Sequence, residues 1–403
     1  MRKRVLITAA AMEIGGVERS LAAMLAEFDY EKYEVDLLLF SQTGELLDSI
    51  PVNCNILPEN KALAALHKPI KEALFSGSWT VAGARLFSKA EAAIKKRINK
   101  TTEYMEPGTD LSQAYWDNSI SFLPELKTKY DAAISYIWPH HYVACKVCAD
   151  MKIAWVHTDY SRVNVNKEKD LKIWNRFSAI AAVSDSCAEV FTEIYPSLKK
   201  KTFTVENILS ADFVKSQAEQ FLPQEMGGSC VKLLTVGRFS YSKAFDFAAE
   251  ICAELVKKGY GIRWYAVGYG SEERHIRTKI KELGLEDYFL ILGKKTNPYP
   301  YFKACDIYVQ PSRFEGKAVT VREAQILGKP VVITDFKTAR SQVRDGFDAL
   351  IAPPDKDSVC RAIISLIEDS RLRERLSENA GKTDCTNMDS MEILYGLLDS
   401  GKE

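Results

Sequence analysis

Ile307-Tyr308-Val309-Gln310-Pro311-Ser312-Arg313-Phe314-Glu315-Gly316-Lys317-Ala318-Val319-Thr320-Val321-Arg322-Glu323-Ala324 reads as three kinds of backbone in succession. Ile307 to Gln310 is short, apolar and β-prone. The stretch from Pro311 reads as a loop, and near Thr320 it takes helical spacing. Strand, loop and helix in that order are the repeating unit of a parallel sheet. Gly316 lets the backbone approach a ligand closely. The N–H groups at the helix start are suited to an anion such as diphosphate. Glu315 and Glu323 are separated by seven residues. Two such carboxylates can accept hydrogen bonds from the hydroxyls of two sugar rings. Spacing alone leaves a second reading open. Thr320-x-x-Glu323 also matches a capping box, and Glu315 also reads as an ordinary loop acid.

The same alternation extends outward. Lys232 to Val236, Arg263 to Val267, Phe289 to Leu292 and Val331 to Thr334 read as strands, with helical stretches such as Phe245 to Lys258 and Glu272 to Leu283 between them. Residues 209–228 contain Pro223, Gly227 and Gly228 without clear periodicity and read as a linker. The first half repeats the pattern. Val5 to Ala9 is a strand, Gly15 and Gly16 form a loop, Val17 to Phe28 is a helix, and Glu34 to Phe40 is the next strand. Residues 60–130 interrupt it as a helical insertion. Asp131 to Ile137, Ile153 to Val156, Ile180 to Val183 and Thr202 to Val205 resume it. The expected layout is a first doubly wound α/β domain over 1–208, the linker, a second over 229–385, and a C-terminal helix over 386–403 crossing back to the first. Ligands of such sheets are expected at strand ends and helix starts.

A second charged loop follows the first strand of the second domain: Val236-Gly237-Arg238-Phe239-Ser240-Tyr241-Ser242-Lys243. Gly237 opens a turn. Arginine forks onto phosphate oxygens and lysine adds a compact charge, although two loop cations can equally be merely solvated. The bulk composition is uninformative about partners. Lys plus Arg equals Asp plus Glu, 54 against 54, so no global charge points to nucleic acid. Nine cysteines at irregular spacing include one Cys-x-x-Cys, Cys145 and Cys148, which reads as chance proximity on a helix. Free thiols suit a reducing cytoplasm. Met1-Arg2-Lys3-Arg4 before an apolar stretch imitates a signal peptide, but Glu13 and the glycine pair close it, so a first strand is expected. No uninterrupted apolar run is long enough to span a bilayer.

Taken together, these elements resemble the family 4 glycosyltransferases of the GT-B fold. The resemblance rests on Glu315-x7-Glu323 within Glu315-Gly316-Lys317-Ala318 and Arg322-Glu323-Ala324. It also rests on Gly237, Arg238 and Lys243, on Val267-Gly268-Tyr269-Gly270, and on Gly15-Gly16-Val17-Glu18-Arg19. Asn297-Pro298-Tyr299-Pro300-Tyr301 and the run from Cys305 to Ser312 are similar to a capsular and exopolysaccharide subgroup. The set runs in family order from residue 5 to about 355. It implies two Rossmann-like domains facing a cleft and a retaining transfer from a nucleotide diphosphate sugar, with uridine the commoner base. The acceptor it implies is a growing glycan or a lipid-linked one in surface polysaccharide synthesis.

The resemblance also implies roles. Arg238 and Lys243 hold the diphosphate and stabilise the leaving group without a metal or other cofactor. Glu323 takes the ribose hydroxyls and Glu315 the donor sugar. Backbone N–H groups of Gly316, Lys317 and Ala318 assist. Gly15 and Gly16 let their loop close over the diphosphate, and the base lies near Gly293 and Lys294. Many members have Pro-Glu-Lys-Gly where this chain has Tyr241-Ser242-Lys243-Ala244; Ala244 is expected to take ordinary helical geometry. His157, directly after a strand, is expected to face the donor sugar and acceptor. His140, His141 and Asp159 are candidates for the acceptor mouth. None of these histidines has metal-site spacing with a carboxylate.

From Lys68 to Lys100 there are eight Lys or Arg and two Glu, net +6. Leu86, Phe87, Ala90, Ala93, Ile94 and Ile98 fall on one rough helical face beside Lys95-Lys96-Arg97. Two readings are open. This face lies on an anionic membrane surface, or it packs on its own domain. The expected location is the cytoplasm, or the inner face of its membrane as a peripheral protein. Two rival functions are a nucleotide-sugar epimerase on the same plan and a nucleotide-sugar-binding protein without catalysis.

Overall fold

A computed structural model describes residues 2–75, 77–98, 108–383 and 386–400; side chains 93–98 lie outside the description. By their contacts these residues form two units. The first holds 1–13, 21–206 and 389–403, and the second holds 14–20 and 207–388.

The first unit is built on a parallel sheet of seven strands: β1 (Lys3–Ala9), β2 (Tyr33–Leu39), β3 (Asn55–Ile56), β4 (Leu126–Ser135), β5 (Val147–Val156), β6 (Ala179–Ala182) and β7 (Thr202–Thr204). Their order is β3-β2-β1-β4-β5-β6-β7. Strands buried on both faces read as continuous apolar runs. Val5, Leu6 and Ile7 of β1 and Ile153 to Val156 of β5 are such runs. One buried charge interrupts them. Asp36 of β2 accepts from the Tyr130 hydroxyl at 2.7 Å and the Asn55 amide at 2.6 Å, and pairs with Arg4 at 3.3 Å. Asn55 is the register partner of Asp36, so this bond ties the two-residue edge strand β3 to the sheet. The helices of the expected insertion are Lys61–His67, Ile70–Phe75, Trp79–Ile98 and Thr109–Ser119. The C-terminal helix Asp389–Asp399 packs with this unit. Tyr395 stacks on Tyr33 with ring centroids 5.2 Å apart and accepts the Asp29 N–H, and Asp399 pairs with Lys3 at 2.7 Å.

The second unit carries β8 (Val231–Val236), β9 (Ile262–Val267), β10 (Phe289–Gly293), β11 (Ile307–Gln310), β12 (Val331–Thr334) and β13 (Leu350–Ala352). The order is β10-β9-β8-β11-β12-β13, again all parallel. Side chains alternate between faces with a period of two. Leu233, Trp264, Ala266, Ile307 and Val309 therefore enter one core, while Leu234, Tyr265, Val267 and Tyr308 enter the other. Helix Phe245–Lys257 covers the first core with Phe245, Ala248, Ala249, Cys252 and Leu255, an i, i+3, i+4 stripe. A buried Thr235 is satisfied there by donating to the Val309 carbonyl at 2.8 Å and accepting from Trp264 Nε1 at 3.0 Å.

Four expectations need correction. Residues 209–228 are not a linker: Ser210 caps a helix, Ala211–Ala218, and Val214, Ala218 and Met226 enter the core of the second unit. Residues 14–20, expected with the first domain, group with the second unit. Cys145 and Cys148 do not share a helix. Helix His141–Lys146 ends between them and Cys148 lies in β5; both thiols are free. The half-exposed run Val147–Lys152 alternates in burial, which hid the start of that strand. Finally, Ala244 is not helical. It sits at φ 55° and ψ 43°, the left-handed region, where an L-residue's Cβ crowds the following carbonyl.

Candidate functional site

In the second sheet the direction of winding reverses between β8 and β11. Ligands of open α/β sheets bind outside the carboxyl ends of strands at such a switch point. The two charged loops noted in the sequence, 237–243 and 311–318, follow β8 and β11.

These loops are joined by direct bonds. Lys243 Nζ lies 2.5 Å from Glu315 Oε1, and both side chains are largely buried. The same oxygen accepts from Ser312 Oγ at 2.6 Å and from Gln310 Nε2 at 3.2 Å. Gln310, fully buried at the end of β11, also donates to Ser312 at 2.7 Å; its carbonyl accepts from Tyr308 and from Thr320 Oγ1 at 3.1 Å. Arg313 grips the β8 side. Its fork meets both Asp246 oxygens at 3.0 and 2.7 Å, it donates to the Tyr241 carbonyl, and it stacks 4.1 Å over the Tyr241 ring. Burial alone would raise the Asp246 pKa, but the Arg313 guanidinium outweighs it and holds the carboxyl below its usual value.

Glycine is required where a third loop meets the first. Gly237 N–H bonds to Val267 O, and Phe239 N–H bonds to Tyr269 O. A Cβ on Gly268 would stand 1.8 Å from the Gly237 carbonyl oxygen, and one on Gly270 would stand 2.3 Å from that of Phe239. Val267-Gly268-Tyr269-Gly270 therefore exists to let these backbones touch. The Lys243 stem lies over Gly237, 3.5 Å from where a Cβ would be. Arg238 is exposed, and its side chain makes no hydrogen bond or ion pair among the described residues; its carbonyl accepts from the Ser240 N–H. Gly293 closes β10 at φ 74° and bonds to Gly268, and Lys294 lies 4.7 Å over the Tyr269 ring.

Glu323 is fully buried on helix Val319–Ile326. The helix begins after Ala318, so Thr320-x-x-Glu323 is not a capping box; Thr320 turns to Gln310 instead. Glu323 Oε1 accepts from the Tyr299 hydroxyl at 2.9 Å, and Arg19 Nη1 reaches its two oxygens at 3.3 and 3.5 Å. Burial works against the Arg19 cation, yet the carboxylate of Glu323 beside it raises its pKa above the ordinary arginine value. Gly16 stands next to Val319, with a Cβ there 3.7 Å from the valine side chain. Gly15 precedes it on the same segment. The loop between the two glutamates is pinned by Thr338 Oγ1 on the Glu315 carbonyl and by Gln342 on both backbone groups of Ala318. Gly316 is buried there with Lys317.

The first unit holds the three candidate histidines. His157 follows β5, and its Nε2–H donates to the Tyr136 carbonyl at 2.8 Å, which fixes the tautomer and leaves Nδ1 as the acceptor. The ring stacks on Trp155, and burial lowers its pKa to about 4. It is therefore neutral at pH 7. His140 and His141 do not form an open mouth: each is about 1% exposed. His140 bonds to Ser135 and packs edge-on to Trp174; His141 bonds to Asp117 at 3.0 Å. Asp159 is buried too. It caps the turn Tyr160–Arg162 by accepting from Ser161 N and Oγ. Below it, buried Asp170 accepts from the Tyr160, Tyr195 and Trp174 side chains and holds this loop in shape.

The structure thus brings Gly237, Lys243, Glu315 and the Glu323 helix to one end of one sheet. Four participants were quoted in the sequence only as parts of motifs, with no role in the site: Gln310, Ser312, Tyr299 and Arg19. A buried amide at the end of an apolar strand was the available signal for Gln310. Nothing local marked Tyr299 as a partner of a residue 24 positions away.

Comparison with known proteins agrees with this architecture. The Anabaena HepE protein, solved with UDP-glucose, matches at a TM-score of 0.70 with 16% identity, covering 98% of this chain and 100% of that one. Staphylococcus aureus TarM, solved with UDP and other ligands, matches at 0.67 with 13% identity over 99% and 100%. The fold is GT-B. Residues 227–383 match the family model of glycosyl transferases, group 1. Among curated relatives, alpha-D-kanosaminyltransferase of Streptomyces kanamyceticus is 27% identical over 37% of this chain and 39% of its own. A Campylobacter jejuni N-acetylgalactosaminyltransferase acting on a diphospho-undecaprenol-linked sugar is 28% identical over 41% and 45%. The chain spans less than half the length of these relatives.

Proposed function

We propose that the chain is a retaining, family 4 type glycosyltransferase. It moves a sugar from a nucleotide diphosphate donor, a UDP-sugar, to a glycan or lipid-linked acceptor at the inner face of a membrane. The observation that carries this is the 2.5 Å contact of Lys243 with Glu315 at the switch point. A nucleotide sugar joins its phosphate and its sugar through one oxygen. A cation for the phosphate and a carboxylate for sugar hydroxyls must therefore lie side by side, as these two do. Arg238, exposed beside Gly237, adds the second cation. Gly293 and Lys294 border the base. The relatives' acceptors and the UDP held by the solved neighbours support the choice of substrates.

In the reaction the bond from the anomeric carbon to the phosphate oxygen breaks, and its electron pair goes to the leaving diphosphate. Fixed cations stabilise that charge, so no metal is required of the mechanism. The acceptor hydroxyl attacks from the same face and passes its proton to the departing phosphate.

Incubation with UDP- and GDP-sugars tests this, reading released nucleoside diphosphate with and without a lipid-linked acceptor. Transfer with the donor's anomeric configuration, undiminished by a chelator, is the expected result. An isomerised donor would instead identify an epimerase, and a raised melting temperature with neither product would identify a binding protein. An inverted product would remove the retaining assignment.

A further inference from the structure

Gln310 ends β11, and its fully buried amide has a partner at each end. One end faces Glu315, the ion-pair partner of Lys243. An ionised carboxylate only accepts, so the end that faces it is the nitrogen. Its two hydrogens go to Ser312 Oγ at 2.7 Å and to Glu315 Oε1 at 3.2 Å. The oxygen end accepts from the Tyr308 hydroxyl and from Thr320 Oγ1. Ser312 relays the contact: its hydroxyl accepts from Gln310 and donates to the same Glu315 Oε1 at 2.6 Å. Lys243, Ser312 and Gln310 therefore converge on one carboxylate oxygen. Glu315 Oε2 accepts no hydrogen bond from the described residues.

This convergence does a job that the backbone does not. The loop after β11 is anchored without Gln310: Thr338 Oγ1 holds the Glu315 carbonyl at 3.0 Å, Thr334 Oγ1 holds that of Ser312, and Arg313 pairs with Asp246. What those bonds leave undecided is the rotation of the carboxylate. The last torsion of a glutamate is broad and roughly two-fold, so nothing intrinsic sets its plane. Lysine is a point charge on a flexible stem and follows the carboxylate as it turns. The amide and the hydroxyl are short, buried and directional, and they select Oε1. Oε2 is thereby left to accept from a ligand hydroxyl, in an orientation fixed before the ligand arrives. Preorganisation of that kind needs a supporting set of hydrogen bonds behind the group that touches the ligand.

We propose that Gln310 is a positioning residue whose amide aims the Glu315 carboxylate at the donor sugar. The inference rests on the transferase reading above, and wild-type turnover of a UDP-sugar decides that reading first. Without turnover the reading falls and this inference with it; with turnover the variants decide. Gln310→Met keeps the length of the side chain and loses both donors. It is expected to lower kcat/KM for the UDP-sugar about tenfold to 100-fold, the scale of a misplaced contact. UDP has no sugar, so its affinity, read by titration calorimetry, should stay within about twofold of wild type. Thr320→Val removes another bond to the same amide without touching the donors on Glu315, and it should spare both quantities. If Gln310→Met does not fold, Ser312→Ala breaks the relay and should give the same split. The proposal is overturned if the folded variant transfers as fast as wild type. It is equally overturned if UDP affinity falls as far as kcat/KM, or if Thr320→Val loses as much activity, because the amide then serves the fold alone.

Discussion

Lys243 and Glu315, 72 positions apart in the chain, share a 2.5 Å ion pair that closes the loops after β8 and β11 onto each other. Glu315 keeps Ser312 and Gln310 when the lysine is removed. Lys243→Ala should therefore cost little stability, about 1 kcal/mol, while under the proposed reaction it should lower kcat about 100-fold or more by removing a preorganised cation from the leaving phosphate. Arg238→Ala, at an exposed position, should leave stability within about 0.5 kcal/mol and lose activity similarly. Urea melts beside initial rates decide; a matched loss of both would mean the cations serve folding alone.

Ala244 holds a left-handed backbone at the start of helix Phe245–Lys257. Ala244→Gly relieves the Cβ crowding and should stabilise the protein by about 1 kcal/mol, even though glycine gains freedom in the unfolded chain. Ala244→Val should destabilise by more than that. Equilibrium denaturation of the three proteins gives the order directly.

Glu323 and Arg19 are a largely buried pair completed by Tyr299. Removing one charge leaves the other uncompensated, so Glu323→Gln should cost about 3 kcal/mol or more. Arg19→Met with Glu323→Gln should cost less than the sum of the single changes. Strict additivity in the double-mutant cycle would show that the pair does not interact.

His157 has its pKa lowered to about 4 by burial, against an ordinary value near 6.5. Between those pH values the unfolded chain binds the proton and the folded chain does not. The stability it contributes is therefore complete above about pH 6.5 and declines as pH falls towards 4, by about 3 kcal/mol in all. His157→Gln should flatten the stability profile over that window by a comparable amount. Calorimetric melts at spaced pH values check it; an unchanged slope would mean the imidazole is solvated.

Much of the fold was legible because a buried parallel strand writes itself locally. Ile307–Gln310, Val331–Thr334 and Val5–Ala9 are apolar runs between turn residues, and each is a strand. β3 and β13, two and three residues long, carry too little pattern to be read; an Asp36–Asn55 hydrogen bond fixes the first. In the site, Gly237, Lys243 and Glu315 were legible as residue types in loops after strands, and Glu323 on the helix that follows. Their mutual geometry was not.

The sequence by itself determined the two βα alternations, the charged loops that close them and the glycines those loops need, because these depend on neighbours along the chain. Only the tertiary structure decided that Thr320 turns to Gln310, that Glu323 meets Tyr299 and Arg19, that Ala244 is left-handed, and that Trp79 and Phe87 face outward. Each of these turns on which distant surface a side chain meets, or on how a packed turn fixes its backbone. A one-dimensional pattern holds the chemistry of a side chain but not its distant partner.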